Sequence, residues 1–340
     1  MANSTIPQQV RDAWKSASVA PLWESPTAHK DDPGPPKPSI WRWEVMRPLL
    51  LEAAKVESPE AVERRVLSMV NPANTSPMDE STVKNISAAF QVLLPGEKAR
   101  PHRHSMNALR FTLEGSGAYT KVDGKACLMT EGDMILTPAW TWHEHEHKGD
   151  APIIWLDVLD VPFHLGMGTA SFQPGPVTDL PDHPGDEAFA VANFVPAGAE
   201  TDYDYSPVFR YPREDALKAL AAAPADKDGA RRVRYANPVT GGPSMALLDS
   251  WLIEVTGASE TVPRQTNYNS VFAVLDGEGE SRIGDQTVSW SRNDIFTAPQ
   301  GNWVSHKAKG DTARLFEVND REIYRRLGVL EERLGNENGG

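Results

Sequence analysis

At 340 residues and 37.3 kDa the chain is longer than one ordinary compact domain of ~150 residues, so two cores are expected. Its 34 basic against 47 acidic side chains leave a net charge of −13, which disfavours unspecific attraction to nucleic acid or to an anionic membrane and favours a small molecule or another protein as partner. A mean hydropathy of −0.45, the lack of any apolar run near the ~20 residues of a transmembrane helix, a polar Met1–Pro7 and a single cysteine, Cys127, predict a soluble cytoplasmic protein without a disulfide, whose metal, if any, rests on His, Asp or Glu.

In chain order, the first segment, residues 1–75, reads as a mostly helical arm. Ser58-Pro59-Glu60 supplies a cap, a proline at the first helical position and an early acid, and Val62, Val66 and Met69 follow at helical spacing. The proline- and glycine-rich stretch Asp31–Pro36 reads as a connector. From Ile86 the period changes to two. Short apolar runs bounded by Gly, Pro and Asp, at Ala88–Leu94, Ala108–Leu113, Ala118–Val122, Met134–Thr137 and Pro152–Leu159, predict an antiparallel sandwich or barrel over 76–165. Residues 166–238, rich in Pro and Ala, read as a linker with one helix near Glu214–Ala223. A second strand series falls within 239–320, Arg321–Leu334 has the apolar spacing of a closing helix, and Glu337–Gly340 reads as a frayed end.

The two strand series are copies. At an offset of 162, Pro101 meets Pro263, Asn107 meets Asn269, Leu113 meets Leu275, Gly115 meets Gly277 and Gly117 meets Gly279; at 161, Asp133 meets Asp294, Pro138 meets Pro299, Trp142 meets Trp303 and His145 meets His306. Turn glycines, prolines and strand aromatics are the positions a shared backbone geometry dictates.

His102-Arg103-His104 on a strand puts two imidazoles on one face, and a third His from a later strand would complete a triangle of neutral ligands that leaves coordination positions open. Gly96-x5-His102-x-His104 and Gly132-x5-Pro138-x4-His143 are the two halves of the cupin signature. Within His143-Glu144-His145-Glu146-His147 three histidines share one face; His143 fits the signature, His145 falls behind it and His147 is expected to be exposed. The second copy offers Arg264, Thr266 and Val304 at the ligand positions, so one metal per chain is expected, in the first barrel.

Leu22-Trp23-Glu24, Trp41-Arg42-Trp43 with Arg47-Pro48-Leu49-Leu50-Leu51, Glu63–Leu67 leading to Asn71-Pro72, His102-Arg103-His104 with Ala108–Phe111, and Thr137–His143 with Ile154–Asp157 together resemble the gentisate 1,2-dioxygenase family, which includes salicylate, 5-nitrosalicylate and 1-hydroxy-2-naphthoate dioxygenases. The resemblance implies an all-β-dominated bicupin, two antiparallel barrel or jelly-roll domains with an N-terminal helical segment and a C-terminal helix, assembled as a homotetramer. It implies Fe(II), one per chain, on His102, His104 and His143, and O2-dependent opening of a 2-hydroxybenzoate between its carboxyl-bearing and hydroxyl-bearing carbons, both oxygen atoms entering the product. Arg110 is the implied carboxylate clamp; six residues after His104, it would share the histidine face on a continuous strand. Arg65, with Arg64 beside it, resembles a second substrate-binding arginine, His145 the acceptor of the phenolic proton, and Gln91 and Asp157 pocket positions. Ser87 stands where some salicylate-cleaving relatives carry tryptophan, and Met106 follows the His pair, which suits gentisate or a 5-substituted salicylate such as 5-nitrosalicylate. A non-catalytic cupin binding a small acidic ligand is the alternative, and Cys127 reads as packing.

Overall fold

The computed structural model describes residues 6–19, 21, 35–62, 64–74, 79–181, 184–191, 194–197 and 204–335. Leu22-Trp23-Glu24, most of the Asp31–Pro36 connector, Glu63 and Glu337–Gly340 lie outside them. The chain divides into two units, 1–35 and 36–340. The first holds α1 (Gln8–Ser16), a helix without a buried residue.

The second unit begins with β1 (Ile40–Trp41), α2 (Trp43–Val56), α3 (Pro59–Val62) and β2 (Val66–Ser68). Val66 was expected to be helical; instead the helical turn stops at Val62, and Val66 and Leu67 pair antiparallel with Gln91 and Phe90, because the sheet edge offers their backbone the hydrogen bonds a four-residue helix cannot. The first barrel follows with β3 (Ser87–Leu93), β4 (Lys98–His104), β5 (Ala108–Glu114), β6 (Ser116–Val122), β7 (Lys125–Thr130), β8 (Met134–Thr137), β9 (His143–His147) and β10 (Ile153–Leu159). Residues 166–238 do more than link. After α4 (Val161–Met167) they supply β11 (Phe172–Pro174), β12 (Arg210–Tyr211), α5 (Arg213–Ala222) and β13 (Arg231–Arg234), all but α4 and α5 being strands added to a barrel wall. The second barrel comprises β14 (Asp249–Thr256), β15 (Arg264–Thr266), β16 (Ser270–Asp276), β17 (Glu278–Ile283), β18 (Gln286–Ser291), β19 (Ile295–Ala298), β20 (Trp303–Ala308) and β21 (Thr312–Asn319). The closing helix, α6 (Arg321–Arg326), is shorter than its apolar spacing suggests: Gly328 takes a left-handed φ of +73°, and β22 (Glu332–Leu334) pairs with β15.

Each barrel is a six-stranded sheet facing a five-stranded one: β12-β8-β5-β10-β3-β2 against β11-β4-β9-β6-β7, and β1-β19-β16-β21-β14-β13 against β18-β17-β20-β15-β22. The edge strands are exchanged between the halves. β12, from the lead-in to the second barrel, extends the first barrel at β8, while β1, from the lead-in to the first, extends the second at β19. Repeat-matched aspartates hold both exchanges. Asp133 accepts from Arg210 (2.8 and 3.0 Å) and from the backbone N of Arg213 (2.9 Å); Asp294 accepts from Arg42 (3.0 Å) and from the backbone N of Trp43 (2.8 Å). Each thereby caps the first turn of a helix that has no local cap of its own, α5 or α2.

Alternation along the strands gives every residue its face. On β5, Leu109, Phe111 and Leu113 point out of the barrel and Ala108, Arg110 and Thr112 into it. The outward faces of the six-stranded sheets meet in one apolar core, with Phe111 stacked on Phe316 at 4.0 Å. Gly115 and Gly277 match because both take a left-handed φ (+92° and +79°) beside a strand irregularity, where a Cβ would come within 2.7 Å of the Pro152 carbonyl or of the Ala313 side chain.

Candidate metal centre

His102 and His104 lie two apart on β4 and both point inward, while Arg103 between them points out and packs over Trp142 and Trp140 (4.7 and 5.4 Å). Register puts His143 of β9 directly opposite His102, next to a shift in the β4 ladder between Ala99 and His102. The three rings converge, with centroids 4.2 Å (His102 to His143), 4.8 Å (His104 to His143) and 5.4 Å (His102 to His104) apart, and their ligand atoms all lie within 4.8 Å of one another.

Two of the rings are oriented by backbone. Nδ1 of His104 lies 2.8 Å from the Met106 carbonyl and Nδ1 of His143 lies 3.0 Å from the Thr141 carbonyl. A carbonyl only accepts, so Nδ1 carries the proton and Nε2 presents its lone pair to the centre. His143 Nε2 is buried without a hydrogen-bond partner, which costs about 1–3 kcal/mol unless a ligand takes the lone pair. Burial foremost, then the charges of Arg64 and Arg110, hold the imidazoles neutral: His102, where Arg64 is the larger of the two, is pushed down to about 2, and where Arg110 is the larger, His104 is pushed down to about 4 and His143 well below its usual range. Three neutral, convergent nitrogen donors fit a divalent metal ion.

The opposite wall supplies the cation. Arg110 is not beside the histidines on a continuous strand, as its spacing suggested; a turn at 105–107 carries it onto β5, so it faces them across the barrel. It is fully buried, donates to Thr137 Oγ1 (2.6 Å) and ion-pairs with Asp157 Oδ1 (3.1 Å), its cross-strand neighbour on β10. That pair is poorly aligned as a hydrogen bond, so charge rather than donor direction dominates it. Asp157 Oδ2 accepts from Trp155 Nε1 (3.0 Å).

Of the two neighbouring arginines, the structure places Arg64, not Arg65, against the histidines. Arg65 is buried away from the histidines, ion-paired with Glu97 (2.9 Å) and donating to the carbonyls of Glu57 and Val92 (2.7 and 3.1 Å). Arg64 is the one against the cluster, its Nη2 3.0 Å from His102 Nε2. Glu97 and the carbonyls of Glu57 and Val92 claim the Arg65 guanidinium, which leaves Arg64 to meet the histidines.

His145 is buried behind the triad, with Nδ1 2.9 Å from Thr120 Oγ1 and Nε2 unpartnered. The hydroxyl contact recurs as Ser281 with His306 in the second barrel and so belongs to the fold. Burial, then Arg110 and Arg64, keep His145 neutral. His147, expected to be exposed, is buried and 2.6 Å from the Ala151 carbonyl, because β9 is an inner strand with β4 and β6 on either side. Gln91 is buried beside Trp155 with neither amide atom hydrogen-bonded. Ser87 begins β3 on the same face but at the rim, and the Met106 side chain is taken by Ser105 Oγ (3.3 Å). Cys127 is buried, its thiol pushed up to about 12 by burial, as a packing residue requires. Sequence reading missed two residues: Phe172, which β11 stacks on His102 at 5.0 Å, and Thr112, an inward hydroxyl without a partner. Neither carries a local signal, since both are placed by pairing with distant strands.

A cupin-domain family model matches residues 89–159. The chain is 35% identical to a gentisate 1,2-dioxygenase of Ralstonia sp, over 96% of this chain and 94% of that protein, and 32% identical to a 5-aminosalicylate 1,2-dioxygenase of Comamonas sp, over 93% and 87%. Its fold is similar to that of a salicylate 1,2-dioxygenase variant of Pseudoaminobacter salicylatoxidans in complex with gentisate, at a TM-score of 0.89 and 28% identity, covering 99% of this chain and 98% of that one. A likeness that spans both barrels at this identity extends well beyond the shared architecture, and by it the chain belongs to the gentisate 1,2-dioxygenase family of bicupins.

Proposed function

We propose that the chain opens a 2-hydroxybenzoate with O2 between the carboxyl-bearing and hydroxyl-bearing carbons, using one Fe(II) held by His102, His104 and His143. The observation that carries this reading is the juxtaposition of three neutral imidazoles with a buried arginine on the facing wall. Iron, when bound, would supply the open positions for the substrate's carboxylate and phenolic oxygens and for O2. The protein's own residues do the rest. Arg64 and Arg110 attract the carboxylate, and Asp157 with Thr137 keeps Arg110 directed into the chamber. His145 Nε2, neutral and unpartnered, accepts the phenolic proton, while Thr120 steadies the ring. The amide of Gln91, which has found no partner in the fold, suits a polar ring substituent, so gentisate and 5-substituted salicylates, including 5-nitrosalicylate and 5-aminosalicylate, are the favoured substrates. Buried walls keep bulk water from the reacting ring. We place the enzyme in the cytoplasm as a homotetramer. No helix among the described residues is long and apolar enough to cross a membrane.

The test is oxygen uptake by anaerobically iron-loaded protein given gentisate, 5-aminosalicylate, 5-nitrosalicylate, salicylate and 1-hydroxy-2-naphthoate. Consumption of one O2 per ring opened is expected with a 5-substituted substrate. No uptake with any of the five would overturn the reading.

A further inference from the structure

The barrel that lacks the histidine triad is not filled in. Between its walls lies a cavity of about 540 Å³, room for a substituted ring. Arg264, Thr266 and Val304 line it where His102, His104 and His143 line the first barrel. Its charges are almost all matched internally. Arg264 and Arg232 close on Asp226 and Asp228, with Arg264 Nε 2.9 Å from Asp228 Oδ2 and Arg232 Nη1 2.6 Å from Asp228 Oδ1. Arg321 holds Glu332 through two contacts (3.0 and 3.1 Å), and Arg234 holds Asp249 through two of 2.8 Å. His306 is kept neutral, pushed down to about 3 by burial. An arriving anion would find every guanidinium already bound.

The unmatched charge is Glu317. It stands on β21 opposite Phe272 of β16, whereas the first barrel sets Asp157 opposite Arg110. The arginine is gone and the carboxyl remains. Its Oε1 accepts from two neutral donors, Ser270 Oγ (2.7 Å) and Asn319 Nδ2 (3.0 Å), and among the described residues no arginine or lysine lies within ion-pair distance. Arg232, whose charge reaches it, is committed to the aspartates; Asp249 on a neighbouring strand acts in the opposite sense, and the Tyr268 phenol, held well above its usual range by burial, is uncharged. Burial holds the Glu317 carboxyl above its usual range, as expected of an acid without a counter-ion. Its other cross-strand neighbour is Trp251 of β14, where the first barrel has Ala89, so aromatic rings flank the carboxyl on both sides.

We propose that the second barrel binds a small organic ammonium, a protonated amine on an aromatic or compact aliphatic body, whose N–H groups donate to Glu317 between Trp251 and Phe272. A carboxylate framed by aromatic faces suits such a cation and disfavours an aromatic acid. This site is separate from the ring-opening reaction and does not depend on it.

The test is calorimetric titration of metal-loaded protein with benzylamine near neutral pH. About one molecule bound per chain is expected, weakened at least tenfold in Glu317→Gln, which keeps the shape and removes the charge, and in Phe272→Arg, which restores the ion pair of the first barrel and so occupies Glu317. Unchanged metal content in both variants confirms an intact fold; if Glu317→Gln does not fold, Phe272→Arg decides. Absence of binding to the parent protein, or binding that survives the substitutions, overturns the proposal. So does salicylate binding to a His104→Ala protein that is lost on adding Arg264→Ala, which would make the cavity an anion site.

Discussion

His104 and His143 are held by backbone carbonyls that dictate which nitrogen is free, and the repeat provides an internal control for the triad. His104→Ala should leave less than ~0.1 equivalent of iron after anaerobic loading and gel filtration, since two donors do not hold the ion. Thr266→Ala, the matched change in the other barrel, should leave iron content unaltered, and metal analysis of the two proteins side by side checks both. The arginine pair separates binding from stability in the same way. Arg65→Ala strands Glu97 and should cost about 3 kcal/mol in urea unfolding, because it breaks a largely buried ion pair. Arg64→Ala should leave the unfolding midpoint within error and raise KM about tenfold, the loss of one charge-assisted contact to the substrate carboxylate. The reverse pattern would return the substrate role to Arg65.

Strand pairing accounts for the parts of the site that no short motif announces. β11 comes from residues after the first barrel, yet its pairing with β4 lays Phe172 over His102, a ring that also meets the Arg64 guanidinium. Phe172→Ala should therefore loosen one ligand and weaken iron binding by about tenfold, measured by competition with a chelator, with little change in folding stability because Phe172 is half exposed. Equal affinity in the variant would show that the stacking does not hold the ligand. The Asp133 and Asp294 caps show the same logic in the scaffold: each anchors a helix and an edge strand donated by the other half.

At the scale of the molecule, these exchanges explain why a barrel without metal ligands is retained. The catalytic barrel borrows β12 and shares its outer apolar face with the second barrel, so neither sheet is complete or covered alone. Phe316→Ala, a substitution in the second barrel, should destabilise the whole unit by about 3–5 kcal/mol, the usual cost of truncating a buried phenylalanine. Iron release and tryptophan fluorescence should follow one coincident urea transition; separate transitions would mean that the barrels fold independently.

Much of this was legible without coordinates. The repeat, the strand series and the shared face of His102 and His104 follow from period-two alternation and from turn glycines that favour a left-handed backbone, which are local properties, and the cupin signature singled out His143 as the third ligand. The family resemblance added Arg110, His145, Gln91 and Asp157 as site residues, and the fold gathers all four inside the first barrel. What the sequence could not determine depends on which strands pair across long separations: that Arg64 rather than Arg65 meets the triad, that Arg110 approaches from the facing wall, that His147 is covered, that Phe172 closes over His102, and that the halves exchange edges. Alternation assigns a residue to one of two faces, but only the tertiary register decides what that face looks at.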